Sequence, residues 1–151
     1  MEEYPTHRSF TMKILLPVDG SDCTKRMIAH IAAQDEMFGS RHDYVMLLAL
    51  DALPANIASL MDPEAIEEYC KQEVQRVFEP LRSFAAQNGW RVKFESASGD
   101  AGMVIAHYAD REKPDLIVMG CHGRTALSNV VMGSVTTSVL ARCKTPVLII
   151  R

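Results

Sequence analysis

At 151 residues the chain has the size of one compact domain, and its 48% hydrophobic and 23% charged content is that of a globular protein, which excludes a disordered or fibrous chain. Sixteen Lys and Arg against nineteen Asp and Glu leave a formal charge of −3, too weak a field to draw the chain to phosphate backbones or anionic lipid, so neither nucleic acid nor membrane is an expected partner. No apolar run approaches the roughly eighteen residues that span a bilayer, residues 1–10 lack the apolar core of a secretory signal, and a cytoplasmic protein is expected. The four cysteines, Cys23, Cys70, Cys121 and Cys143, show no C-x-x-C pairing and are expected as reduced thiols rather than metal ligands or a disulfide framework.

Residues 1–11 are polar and aperiodic and read as a flexible extension, with Met12 a second candidate start; residues 12–151 read as a single domain. Ile14, Leu15, Leu16, Pro17 and Val18 form a short apolar run stopped by Asp19-Gly20, the pattern of a buried strand. Ser21 is a fitting N-cap, and Met27, Ile28, Ile31 and Ala32 follow at helical spacing, which predicts a first helix to about residue 37 before Gly39. Residues 44–50 contain no charge and predict a second strand covered on both faces. The stretch 51–61 is unusually apolar for a surface loop and is expected to cover something.

Asp62-Pro63 opens a long second helix whose apolar residues, from Ile66 to Phe84, recur every three or four positions, with a kink expected near Pro80. After Asn88-Gly89, residues 91–98 alternate Val92 and Phe94 with charged neighbours and predict a third strand near an edge. Asp100 caps a predicted third helix to Glu112. Residues 116–120 follow as a fourth strand, 134–141 as a fourth helix and 146–150 as a fifth strand. Charge-poor strands alternating with amphipathic helices indicate an α/β fold built on an open five-stranded parallel sheet, Rossmann-like, with helices on both faces. Ligands of such sheets lie beyond the carboxyl ends of the strands.

The chemistry concentrates in Met119-Gly120-Cys121-His122-Gly123-Arg124 and, after nine residues, Gly133-Ser134-Val135-Thr136. Gly120 and Gly123 let backbone N–H groups come close to a ligand, and Gly133 precedes a helix whose first amides are unpaired and whose dipole is positive. Hydroxyls from Ser134 and Thr136 and the cation of Arg124 complete a set suited to phosphate. Asp19, at the end of the first strand, offers a carboxylate to a ribose hydroxyl or, through water, to Mg²⁺. Neither the Walker A pattern nor G-x-G-x-x-G after the first strand is present.

Pro17-Val18-Asp19-Gly20-Ser21, Gly99-Asp100, the run from Asp115 to Gly123 and the end Pro146-Val147-Leu148-Ile149-Ile150 together resemble the universal stress protein family. The spacing Gly120-x2-Gly123-x9-Gly133-Ser134 is similar to the signature of its ATP-binding branch. Three fixed glycines and a hydroxyl residue would match by chance on the order of once in a hundred chains of this length or less. The resemblance implies a sheet order of 3-2-1-4-5 and a site for ATP, ADP or AMP, with Mg²⁺. Pro17, Val18, Asp19 and Leu50 match positions around adenine and ribose. Met119, Gly120, His122, Gly123, Gly133, Ser134, Val135 and Thr136 match positions that wrap ribose and phosphates. The family also implies a homodimer through residues 146–150, which agrees with the uncharged edge those residues would otherwise expose. Three departures from the family pattern are Ala49 in place of a frequent His, Ala101 in place of a frequent Pro, and Asn129 in place of a common basic residue.

The function expected is that of an adenine-nucleotide-binding stress-response regulator that dimerises and binds a protein partner, with no efficient catalysis. A slow ATPase or autokinase and a nucleotide-free dimerisation module are the alternatives. For His122 no paired nucleophile or carboxylate is visible, so backbone contacts rather than general-base chemistry are expected of it. Cys23, near the start of the first predicted helix, and Cys121, in the glycine loop, are candidates for a reactive thiol, although small buried residues would read the same way.

Overall fold

The computed structural model describes residues 10–120 and 132–151. Five strands, β1 (Lys13–Val18), β2 (Asp43–Leu50), β3 (Arg91–Ser98), β4 (Leu116–Gly120) and β5 (Val147–Ile150), form one sheet in the order β3-β2-β1-β4-β5. Every pairing is parallel, with Ile14 opposite Tyr44 and Leu116, Asp43 opposite Arg91, and Gly120 opposite Ile150. The helices are α1 (Asp22–Ala33), α2 (Asp35–Phe38), α3 (Ala55–Ala58), α4 (Pro63–Gln87), α5 (Ala101–Glu112) and α6 (Ser134–Arg142).

Alternation along the central strands sends side chains into two separate cores. Ile14, Leu16, Tyr44, Met46 and Leu48 meet Met27, Ile28 and Ile31 of α1 and Val77, Phe78 and Leu81 of α4 on one face. Leu15, Val45, Leu47, Ile117 and Met119 meet Ile105, Tyr108 and Ala109 of α5 and Val139 of α6 on the other. The open parallel sheet covered on both faces is therefore as the residue pattern predicts, and β3 lies at one edge.

Two elements differ from expectation. The first helix ends at Ala33 rather than near residue 37, because Gln34 leaves helical geometry (φ −106°, ψ 54°) and turns its N–H back to the carbonyl of Ile31. A separate single turn, α2, follows and stops at Gly39, where a Cβ would lie 2.5 Å from the carbonyl oxygen of Asp35. In the apolar stretch after β2, the backbone forms the short helix α3 and leaves Ile57 and Leu60 45% and 87% exposed. The long helix α4 runs through Pro80 without interruption. The expected N-terminal extension lies, for residues 1–9, outside the described residues.

Candidate functional site

The connection from β1 passes to α1 on one face of the sheet, and α6, which follows β4 in the chain, packs on the opposite face. A crevice at the carboxyl ends of these neighbouring strands is the topological consequence. The structure has there a cleft of about 230 Å³, lined by Pro17, Val18 and Asp19 from β1 and its turn, Met119 and Gly120 from β4, and Gly133, Ser134, Val135 and Thr136 at the start of α6. All the described residues singled out from the sequence meet here except Leu50. His122, Gly123 and Arg124 lie outside the described residues, as do Cys121 and Asn129.

Leu50 packs instead with the core on the α1 and α4 face, and its carbonyl accepts a 2.9 Å bond from the N–H of Gly99. Its neighbours Ala49 and Asp51, together with Leu47, are the β2-side residues that line the cleft. The period of two along a strand carried this signal: positions 47, 49 and 51 share a face and position 50 does not.

The floor of the cleft is built by the turn after β1. Gly20 adopts φ +74°, a left-handed conformation that L side chains rarely take, and lets the chain reverse into α1. Asp19 holds this turn: its Oδ1 accepts from the N–H of Ser21 at 3.0 Å and from the hydroxyl of Thr24 at 2.7 Å. The same Thr24 oxygen accepts the N–H of Asp19 at 3.1 Å. Ser21 then caps α1 by accepting the N–H of Thr24 at 3.3 Å. Ser21, Cys23 and Thr24 all line the cleft, and Cys23 receives a 3.1 Å contact from the guanidinium of Arg26. Against the opposite wall, a Cβ on Gly120 would come within 3.3 Å of the Cβ of Cys23, so glycine lets the end of β4 lie close against the start of α1.

The far wall is the N-terminus of α6. Its N-cap is Gly133, which supplies no side-chain bond to the first turn, and Ser134 is the first helical residue and exposed. The first amides of a helix have no partner within the helix itself, and with the positive end of the dipole they suit an anion. Thr136 differs from its expected part: its buried hydroxyl donates to the carbonyl of Gly120 at 3.2 Å and so ties the start of α6 to the end of β4. Ala101 and Ile105 of α5 complete an apolar end with Leu47 and Met119. Among the described residues no group of three or more His, Cys, Asp or Glu is placed to hold a metal. A second groove, of about 560 Å³, runs between β3 and α5 and contains none of the ligand-site residues expected from the sequence, although Gly99 and Asp100 line it.

Fold and cleft together define a doubly wound α/β protein with a ligand crevice at its switch point. The model of the universal stress protein family matches residues 11–151, and the chain belongs to that family. It is 34% identical over 141 residues to a universal stress protein of Thermus aquaticus, covering 91% of this chain and 97% of that one. The solved structure of the Methanocaldococcus jannaschii protein MJ0577 superposes with a TM-score of 0.78 at 25% identity, covering 92% and 94% of the two chains. A universal stress protein of Arabidopsis thaliana with AMP bound (TM-score 0.66, 18% identity, 92% and 90% covered) and one of Archaeoglobus fulgidus in complex with dAMP (0.61, 19%, 93% and 98%) have the same fold. Among the described residues no helix is long and apolar enough to cross a membrane.

Proposed function

We propose that the protein binds an adenine nucleotide in the cleft between the carboxyl ends of β1 and β4, and that binding, not turnover, is its primary act. The observation that carries this reading is the convergence of residues 17–19, 119–120 and 133–136 on one cleft walled by an α6 N-terminus without a side-chain cap. Leu47, Ala49, Ile105 and Met119 give the purine an apolar bed, and Asp19 accepts a hydrogen bond from the ribose. The first-turn amides of α6 take the phosphates, joined by the backbone at Gly123 and the cation of Arg124. The complexes of family members with AMP and dAMP support the choice of adenine. Mg²⁺ would arrive with the nucleotide, held by phosphate oxygens, since among the described residues only the carboxylates of Asp19 and Asp51 line the cleft.

In this reading the protein is a cytoplasmic homodimer. Among the described residues no strand pairs with the outer side of β5, whose four residues are half-buried, and pairing with the same strand of a second copy about a two-fold axis would cover both edges. Occupancy of the cleft changes the segment that follows Asp51, whose exposed Ile57 and Leu60 meet a protein partner in the stress response. Heat extraction of the purified protein, followed by ATP titration with and without Mg²⁺, tests the reading. Adenine nucleotide in the extract or saturable binding supports it, and the absence of both overturns it.

A further inference from the structure

Thr24 is 5% exposed and lies at the floor of the cleft, one turn into α1. Its hydroxyl is used twice on one residue, donating to Oδ1 of Asp19 at 2.7 Å and accepting the Asp19 N–H at 3.1 Å. A second donor, the N–H of Ser21, reaches the same Oδ1 at 3.0 Å. Two donors converging from different directions on one carboxylate oxygen restrict the χ angles of the carboxyl, and both bonds are partly buried, which limits competition from water. From these contacts we infer that Thr24 is a positioning residue for nucleotide selectivity: by locking the Asp19 carboxylate it makes the cleft read the hydroxyls of a ribose rather than accept any adenine-bearing anion. The inference rests on the proposed nucleotide site and assigns a sugar-reading role to a residue that does not itself touch the ligand.

The geometry carries the role for a physical reason. A carboxylate on a turn samples several rotamers, and a hydrogen bond to the sugar would have to order it at the moment of binding. Preorganisation by Thr24 removes that entropic cost. A ligand that lacks the hydroxyl forgoes one hydrogen bond to a charged acceptor already held in the orientation that bond requires. Thr24→Val keeps the shape of the side chain and removes the hydroxyl. Thr24→Ser keeps the hydroxyl.

The test is competitive titration of the full chain with ATP, 2′-deoxy-ATP, 3′-deoxy-ATP and inorganic triphosphate. Wild type is expected to favour ATP over at least one deoxy analogue by roughly tenfold or more, the size of one hydrogen bond to a charged group. Thr24→Val is expected to bring that ratio to within about threefold of unity with triphosphate affinity unchanged, and Thr24→Ser to restore it. A structural role alone would lower the melting temperature and weaken all the ligands together, and that result overturns the inference. So does a wild type that binds ATP and both analogues equally, a result that leaves the nucleotide site standing and needs no folded variant. A wild type that binds no adenine nucleotide overturns both.

Discussion

The hydroxyl of Tyr44 donates to the carbonyl oxygens of Phe38 and Gly39, the latter at 3.1 Å, while its ring stacks on Trp90 with centroids 4.5 Å apart. One phenol thus ties the turn before β2 to the core under α4. Tyr44→Phe leaves two carbonyls without that donor and is expected to cost about 1–2 kcal/mol in urea unfolding. Burial is the main cause that pushes the Tyr44 pKa well above its ordinary value, with the Asp35 charge adding to it. The neutral form is the one favoured in the native state, so its stabilisation is complete below the unfolded value near 10 and is lost as pH rises beyond it. Wild type is therefore expected to lose stability steeply above about pH 10. Tyr44→Phe flattens that slope without abolishing it, because burial also raises Tyr108. A pH series of urea midpoints measures both effects, and identical slopes in the two proteins would refute the assignment.

At the scale of elements, α6 does two things that one substitution separates. Ser134 is its first helical residue, exposed and bordering the cleft. Ser134→Asp puts a carboxylate at the positive end of the dipole, which favours the helix, and in the place proposed for phosphate, which repels the ligand. The melting temperature is expected to hold or rise slightly while ATP affinity falls tenfold or more, a cost of about 1.4 kcal/mol. The β-strands and most helices were legible in the sequence because their apolar periods are long and uninterrupted: residues 44–50 of β2 have no charge, and Asp62-Pro63 marks the start of α4. The break at Gln34 was not, since a residue of good helix propensity occupies it and only its packed geometry ends α1. Within the site the glycines and Asp19 stood out by motif. Thr24 and Asp51 did not, because a hydroxyl five residues beyond Asp19 carries no motif and the alternation of β2 had to be followed one residue past its predicted end.

For the whole molecule, the two sheet edges are unequal. β3 is a long edge marked by Arg91, Lys93 and Glu95, whereas β5 has only Val, Leu and Ile. Charges mark the first edge, and the uncharged second edge is the one the proposed dimer would pair. Sedimentation at micromolar concentration is expected to give a dimer in wild type and a monomer in Ile149→Lys, and a stable wild-type monomer would remove β5 as an interface. The central claim is that adenine nucleotide occupies the cleft at the β1–β4 switch point, and Cys23 reports on it directly: it is partly exposed and lines that cleft, whereas Cys70, also partly exposed, does not line it. The most direct measurement is the rate of alkylation of each cysteine, followed by mass spectrometry, with and without saturating ATP. Slower modification of Cys23 with Cys70 unchanged is the predicted result. An unchanged Cys23 rate at saturating ATP would contradict the account.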